Sequence, residues 1–255
     1  MSFNKKIINY NFSSKVSEYN LNATVQKKVA KKLCKIFLEN YAIPNNQKIR
    51  ILDLGSGTSF VAKNLLKKID NCEIYELDLS LEMLNNFQEN PEKIIKICAD
   101  IESLPFTESS FDAIISSFSL QWIEDFENLF DILKKLLKPQ AILAFSIPDN
   151  QSFPELKNSP FLINKMPDSK EILSILEKNQ FTKKRFVNKK IYEKFLNFVE
   201  ALKSFKKIGV NYYLPINNKK SFQELKTFYL KNFQNALTYQ KLSWSICYFI
   251  CFKND

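Results

Sequence analysis

Residues 48–60 read KIRILDLGSGTSF. Ile49, Ile51, Leu52 and Leu54 make a short apolar run of the kind that forms a buried strand, and Gly55 and Gly57 end it in a tight turn. A helix is expected from about Thr58. The whole chain has three glycines, and two of them stand in this turn, where a Cβ would restrict the backbone or block a close ligand. Asp53 comes just before the turn, at the carboxyl end of the strand, which is where open α/β sheets bind ligands. A dinucleotide fingerprint, G-x-G-x-x-G, requires a third glycine where Phe60 stands, and a phosphate loop, G-x-x-x-x-G-K-[ST], is absent. What remains is an acidic D-x-G-x-G turn, either a ligand loop or a plain strand-to-helix connection.

Outward from this turn, strands and helices alternate. A helix through Val61, Leu65 and Leu66 leads to a second strand, CEIYELD, which ends at Asp78. Ser80 suits the N-cap of a helix over 81–88, and Pro91 breaks that helix. A third strand, KIIKICAD, ends at Asp100. A loop, IESLPFTESS, precedes a fourth strand, FDAIISSFS. A helix from about Asp125 to Leu137 and a turn at Lys138-Pro139 lead to a fifth, AILAFSI. Such alternation predicts a parallel sheet with helices on both faces. Asp53, Asp78 and Asp100 then stand at successive strand ends along one edge. On the N-terminal side, residues 15–40 predict a helix with Val25, Val29, Leu33, Ile36 and Phe37 at helical spacing.

At 255 residues the chain reads as a single α/β domain carrying an insertion. The opening MSFNKKIINYNFSSK lacks the apolar segment of a signal peptide, and no apolar run is long enough to span a membrane. Five cysteines without a C-x-x-C pair read as reduced, mostly buried thiols, which predicts a cytoplasmic protein. There is no histidine, so the usual general base, the usual zinc ligand and a Ser-His-Asp triad are all excluded, and no metal is expected.

The second half differs in character. Residues 1–150 carry 18 Lys/Arg and 19 Asp/Glu, whereas residues 151–255 carry 19 and 8. That asymmetry predicts a basic surface facing an acidic partner. A capped helix is expected over 168–178 and a strand over 181–192. Two amphipathic helices, 193–205 and 222–233, flank KKIGVNYYLPINNKK with the third glycine, Gly209. The stretch LTYQKLSWSICYFICFK suits a central strand.

These residues resemble a known family. The first 150 resemble class I S-adenosylmethionine-dependent methyltransferases. FSSKVSEYNLNATVQKK, ADIESLPF, SFSLQW, FSIPDNQSFPEL, ALKSFKKIGVN and a late LTY resemble, in combination, the malonyl-acyl-carrier-protein O-methyltransferases of biotin synthesis. Ser59 replaces a family glycine and Val210 a common alanine. The resemblance implies a Rossmann-like, mostly parallel sheet of about seven strands with helices on both faces and a helical lid. It implies N-terminal cover helices within 1–45, a cofactor-binding core over 49–150 and a lid for the acceptor over 193–235. S-adenosylmethionine is the implied cofactor and S-adenosylhomocysteine the product. Asp53, Gly55 and Gly57 would hold the methionine part, Asp78 the ribose hydroxyls, and Asp100 and Ile101 the adenine. Tyr19, the candidate catalytic residue, and Gln26 would belong to the cover, with Ser117 and Trp122 beside the transferring methyl group. The implied acceptor is the free carboxylate of a malonyl thioester on acyl carrier protein or coenzyme A.

A malonyl carboxylate is ionised at neutral pH and needs no base, which agrees with a chain without histidine. Arg50 lies at the wrong end of its strand to hold it, so Lys203, Lys206 and Lys207 are the candidates for substrate or carrier contacts. Two alternatives stay open: another methyltransferase with a different small acceptor, and a non-catalytic assembly factor on the same fold. Nucleic-acid methylation is not expected, because neither N-P-P-[YF] nor a Pro-Cys pair occurs.

Overall fold

In a computed structural model, residues 4–43, 47–87, 90, 92–156, 166–208, 223–224, 226–227 and 240–254 are described. Seven strands pair into one sheet: β1 (Ile49–Leu54), β2 (Cys72–Asp78), β3 (Ile94–Cys98), β4 (Phe111–Ser117), β5 (Leu137–Pro148), β6 (Phe181–Phe195) and β7 (Gln240–Lys253). Their order is β3-β2-β1-β4-β5-β7-β6. The pairs among β1 to β5 are parallel, and β7 runs antiparallel to both β5 and β6. This is the mostly parallel, seven-stranded sheet that the sequence predicts.

The helices are α1 (Lys5–Ser13), α2 (Val16–Asn22), α3 (Thr24–Asn40), α4 (Phe60–Leu65), α5 (Leu81–Asn85), α6 (Phe126–Leu136), α7 (Ser169–Lys178) and α8 (Phe198–Lys207). Strand alternation divides the core in two. Ile49, Ile51 and Ile74 face α3 and α4, and Leu52, Leu54 and Leu77 share the opposite core with residues of α6 and α7. The expected caps are present: Ser80 Oγ accepts from the Met83 N–H, and the Asp168 side chain accepts from the Lys170 N–H.

Several boundaries depart from the sequence reading. The single helix expected over 15–40 is two, broken at Ala23 with ψ 52°, and α1 precedes them. The turn expected at Lys138-Pro139 lies inside β5 as an irregularity, with register jumping from Phe111↔Leu137 to Ala113↔Ile142 and Gln140 at φ 58°. The helix expected from Glu193 starts at Phe198, because Glu193, Lys194 and Phe195 continue the ladder opposite Leu242, Lys241 and Gln240. Asn197 then caps α8 by accepting from the Glu200 N–H at 3.0 Å. Gly209 lies outside the described residues, as does most of the helix expected over 222–233, of which Gln223, Glu224, Lys226 and Thr227 are helical.

β7 is held in the middle of its three-strand group by aromatic packing. The Phe145 ring stacks on Phe249 with centroids 4.5 Å apart and planes 8° apart, and Phe130 and Phe186 close on this pair from α6 and β6. Phe145 is fully buried. Phe145→Ala is therefore predicted to cost about 3–5 kcal/mol, the range for removing a buried phenyl ring and leaving its cavity. Urea unfolding followed by circular dichroism measures this, and a loss under about 1 kcal/mol would refute the assignment.

Candidate functional site

The glycine turn is fixed by β2. The N–H groups of Gly55 and Ser56 both donate to the Leu77 carbonyl, at 2.7 and 3.0 Å, so the start of the turn stays bonded to β2. The Gly57 N–H donates to Asp78 Oδ2 at 2.8 Å, and the Ser80 N–H to Asp78 Oδ1 at 2.8 Å. Both glycines are left-handed, with φ 66° and 54°. Their requirements differ. A Cβ on Gly55 would meet Ser119 Oγ at 2.2 Å, and that hydroxyl donates to the Gly55 carbonyl at 2.9 Å. A Cβ on Gly57 would meet no protein atom within 4 Å.

Over this turn lies a cleft of about 1020 Å³, open solvent at its mouth included. Asp53, Gly55 and Gly57 form part of its wall, with Asp78 beside them. Asp100 and Ile101 line it beyond β3, Ser117 at the end of β4 and Trp122 beyond it, and Tyr19 and Gln26 from α2 and α3. Residues that the sequence reading did not single out complete it. From α1 come Lys5, Ile8, Asn9 and Phe12. Lys5 Nζ bonds to Asp100 Oδ2 at 2.6 Å and also pairs with Glu102, which ties the first helix to the end of β3. Phe60, notable in the sequence only as a missing glycine, stacks with Tyr19 at 5.9 Å and 11°. Tyr19 meets Phe12 edge-on, and Phe12 meets Trp122 in the same way, both at 6.1 Å. Four cavity-lining rings from four separate segments thus make one row. Phe12 opens one of the family-like stretches, but nothing in the spacing shows that these rings meet.

The lysines are placed differently. Lys203 and Lys207 are exposed on α8 and do not line the cleft. The reason is the orientation of α8, which buries Ala201 and Ile208 in the core and packs beside α2 and β7. The side chain of Lys206 lies outside the described residues. Arg50 is at the far strand end, beside Glu73 at 3.4 Å, and Arg185 pairs with Glu39 at 2.8 Å. Among the described residues, no group of three His, Cys, Asp or Glu side chains is placed to hold a metal, and no helix is long and apolar enough to cross a membrane.

Electrostatics distinguish the carboxylates. Asp53 is fully buried and neither oxygen has a hydrogen-bond partner, so both remain acceptors for a cation or donor. Burial, then the charges of Glu76 and Asp78, push its carboxyl well above the usual range. Burial also pushes Asp78 up, and the N–H groups of Ser80, Gly57 and Leu79 oppose that rise. Each Asp78 oxygen retains a lone pair for a further donor. Burial first and the nearby Asp78 second push the Tyr19 phenol up, so it stays protonated and can donate. Asp53, Asp78 and Asp100 thus line one cleft as acceptors, of which Asp53 is without a donor, Asp78 already takes the Gly57 and Ser80 N–H groups, and Asp100 takes Lys5 Nζ and the Glu102 N–H.

Comparisons with known proteins identify the family and the fold. Residues 52–145 match a family model described as a methyltransferase domain. Malonyl-[acyl-carrier protein] O-methyltransferases 1 and 2 of Ilyobacter polytropus are 32% and 30% identical to this chain. The first match covers 87% of this chain and 83% of the relative, the second 90% and 91%. A protein of the same description from Acetivibrio thermocellus is 30% identical over 81% of this chain and 79% of its own. Among solved structures, a protein of Bacillus halodurans described as a methyltransferase superposes with a TM-score of 0.65 at 14% identity, covering 88% of this chain and 99% of the other. A geranyl diphosphate C-methyltransferase of Streptomyces coelicolor, solved with S-adenosyl-L-homocysteine, has a TM-score of 0.56 at 10% identity, covering 87% and 75%. At such identities the structures show a common fold.

The two glycines separate folding from binding. Gly55→Ala should destabilise the protein by more than Gly57→Ala, since only the first meets Ser119 as well as left-handed strain. Gly57→Ala should lose about 1–2 kcal/mol of stability from that strain, yet weaken S-adenosylmethionine binding at least tenfold because its methyl group enters the cleft. Thermal melting and calorimetry decide, and equal melting temperatures for the two variants would contradict this account.

Proposed function

This chain belongs to the class I S-adenosylmethionine-dependent methyltransferases, in the family of the malonyl-[acyl-carrier protein] O-methyltransferases, and from that premise we propose that it esterifies the free carboxylate of a malonyl thioester on acyl carrier protein. The observation that carries this reading is likeness to the Ilyobacter proteins over nearly the whole chain, beyond the sheet core that all such folds share. The proposed place of the reaction is the cytoplasm, and the ester would start the pimelate moiety of biotin.

The cofactor, when bound, supplies a methyl group on a positively charged sulfur. In this reading Asp53 accepts from the ammonium of its methionine part, Asp78 from the ribose hydroxyls and Asp100 from the adenine amine, with Ile101 against the ring. Gly55 and Gly57 bring backbone to the methionine part, and Ser117 borders it. The chain's remaining work is to align the acceptor and keep water out. The row of Phe60, Tyr19, Phe12 and Trp122 covers the cleft for that purpose, with Gln26 beneath it. No general base is required, because an ionised carboxylate is already the nucleophile. Tyr19 presents a protonated hydroxyl that can orient one carboxylate oxygen. Lys203 and Lys207 of α8 stand outside the cleft, so their proposed role is attraction of the acidic carrier rather than contact with the malonyl group.

The deciding experiment incubates malonyl-carrier protein with the enzyme and S-adenosylmethionine and weighs the product by mass spectrometry. Addition of one methyl group, removable by mild base, is expected, and an unchanged carrier overturns the reading. Tyr19→Phe keeps the ring stack and removes the donor, so kcat should fall about 10–100-fold, as expected for losing one hydrogen bond to a charged group, with cofactor affinity nearly unchanged. KM for the carrier substrate should rise with salt and with Lys207→Glu, while a small malonyl thioester changes much less, because salt screens exposed charges over about 8–10 Å. Equal effects on the two substrates would remove Lys207 from carrier docking.

A further inference from the structure

Behind the glycine turn the sheet holds a second buried acid for which the proposed reaction has no use. β1 and β2 pair with Asp53 opposite Glu76. The side chains alternate along each strand, so both lie on the face of Ile51 and Ile74, under α3 and α4. Both residues are 0% exposed, and none of their four carboxylate oxygens has a hydrogen-bond partner. Asp53 borders the cleft and Glu76 does not. The turn above them adds Thr58 and Ser59, also 0% exposed, whose hydroxyl oxygens are likewise without partners. Ser59 is left-handed at φ 67°.

Among the described residues the surroundings offset this burial for Glu76 only in part and for Asp53 not at all. Asp78 of β2 adds a further negative charge near both acids, and the Cys34 thiol of α3, pushed up by burial and then by Asp53, stays neutral. The Tyr19 phenol of α2 is held neutral as well. Near Glu76, Lys63 of α4 and Lys96 of β3 oppose the effect of burial, but neither bonds the carboxylate. Lys63 Nζ donates to the Thr58 carbonyl at 2.9 Å, and Lys96 Nζ to the Phe87 carbonyl. Ser59 is close enough to favour ionised Glu76, although neither side chain completes a hydrogen bond.

Two neighbouring buried carboxylates without donors ionise together only at a cost, since each is desolvated and repels the other, and a cation held against one of them offsets that cost. We propose that Glu76 is a positioning residue of the cofactor site: by standing beside Asp53 it makes the two acids share a proton that the cofactor's ammonium group displaces on binding. The proton leaves to solvent, and the ammonium takes its place against Asp53. Glu76 touches no cofactor atom. It sets the pH at which Asp53 becomes available, and the two acids titrate as a pair. The inference rests on the reading of Asp53 as the acceptor for that ammonium.

The sign follows from linkage. Without ligand the pair holds its proton above the ordinary carboxylate range, as burial dictates. Below the pair's titration, binding must expel the proton, so the dissociation constant should fall by up to about tenfold per pH unit as pH rises, then level off. The test measures S-adenosylhomocysteine affinity by calorimetry from acid to neutral pH for the wild type, Glu76→Gln and Asp53→Asn. Glu76→Gln removes a like charge without changing shape, so its curve should shift to lower pH and reach the same plateau. A Glu76→Gln curve superimposed on the wild type overturns the proposal. Asp53→Asn should bind weakly with no such pH dependence, and wild-type binding by it would instead overturn the parent reading. A second measurement needs no variant. Wild-type binding enthalpy at pH about 6, where the ligand's own α-amino group is protonated throughout, should differ between phosphate and a buffer of high ionisation enthalpy, with up to one proton released. Tight binding with identical enthalpies overturns the shared proton and leaves the function of Asp53 standing.

Discussion

The bonds from Gly55 and Ser56 to the Leu77 carbonyl are the constraint on which the site depends. They hold the end of β1 against β2 for one step past the last paired residues, and from there Gly57 reaches the carboxylate of Asp78 and Phe60 at the start of α4 meets Tyr19. A buried amide without a partner would cost about 1–3 kcal/mol, so these donors hold the turn in place before any ligand arrives. Asp78 serves two ends: its oxygens order the turn and the start of α5, and its remaining lone pairs face the cleft. The floor of the cleft is thus held by main-chain donors together with two side chains, Asp78 and Ser119.

The parts legible in the sequence are those where local chemistry has one solution. The apolar run of β1, the paired left-handed glycines and the acids closing β2 and β3 define the sheet edge without knowledge of the rest. Ser80 and Asp168 cap helices because short polar side chains satisfy orphaned amides in few other ways. What was not legible depends on partners distant in the chain. β6 runs to Phe195 because β7 continues beside it, a fact absent from residues 193–195. The row of rings joins α1, α2, α4 and the turn after β4, and no spacing rule connects those segments. The lysines of α8 share their stretch with Ala201 and Ile208, and only packing decides which side faces inward.

Six of the 19 basic residues in the second half lie along a sheet edge. β6 is the outer strand, and Lys183, Lys184, Arg185, Lys189, Lys190 and Lys194 are exposed along it. Charges at an open edge oppose pairing with another strand, so part of the positive excess serves solubility. Glu193 is the acid within that run, and it is engaged inward. It accepts from Trp244 Nε1 at 2.8 Å and from Thr24 Oγ1 at 3.0 Å. Trp244 in turn meets Phe118 on the cleft wall, so Glu193 joins the edge strand, the central strand and the break between α2 and α3.

The antiparallel ladder of β6 and β7 also bears on how such a protein can change over generations. These strands match residue for residue from Phe195↔Gln240 to Phe181↔Lys253, apart from one bulge, and residues 196–239 connect them. Once such a ladder has formed, lengthening its connection carries little penalty: each doubling of a flexible loop adds only about 0.6 kcal/mol of closure entropy. The connection enters and leaves on neighbouring strands, so insertions or replacements within it leave the registers of β1, β2 and β4 untouched. Changes in length between the two strands therefore bear on this connection and not on the glycine turn, provided Ala201 and Ile208 keep their places in the core.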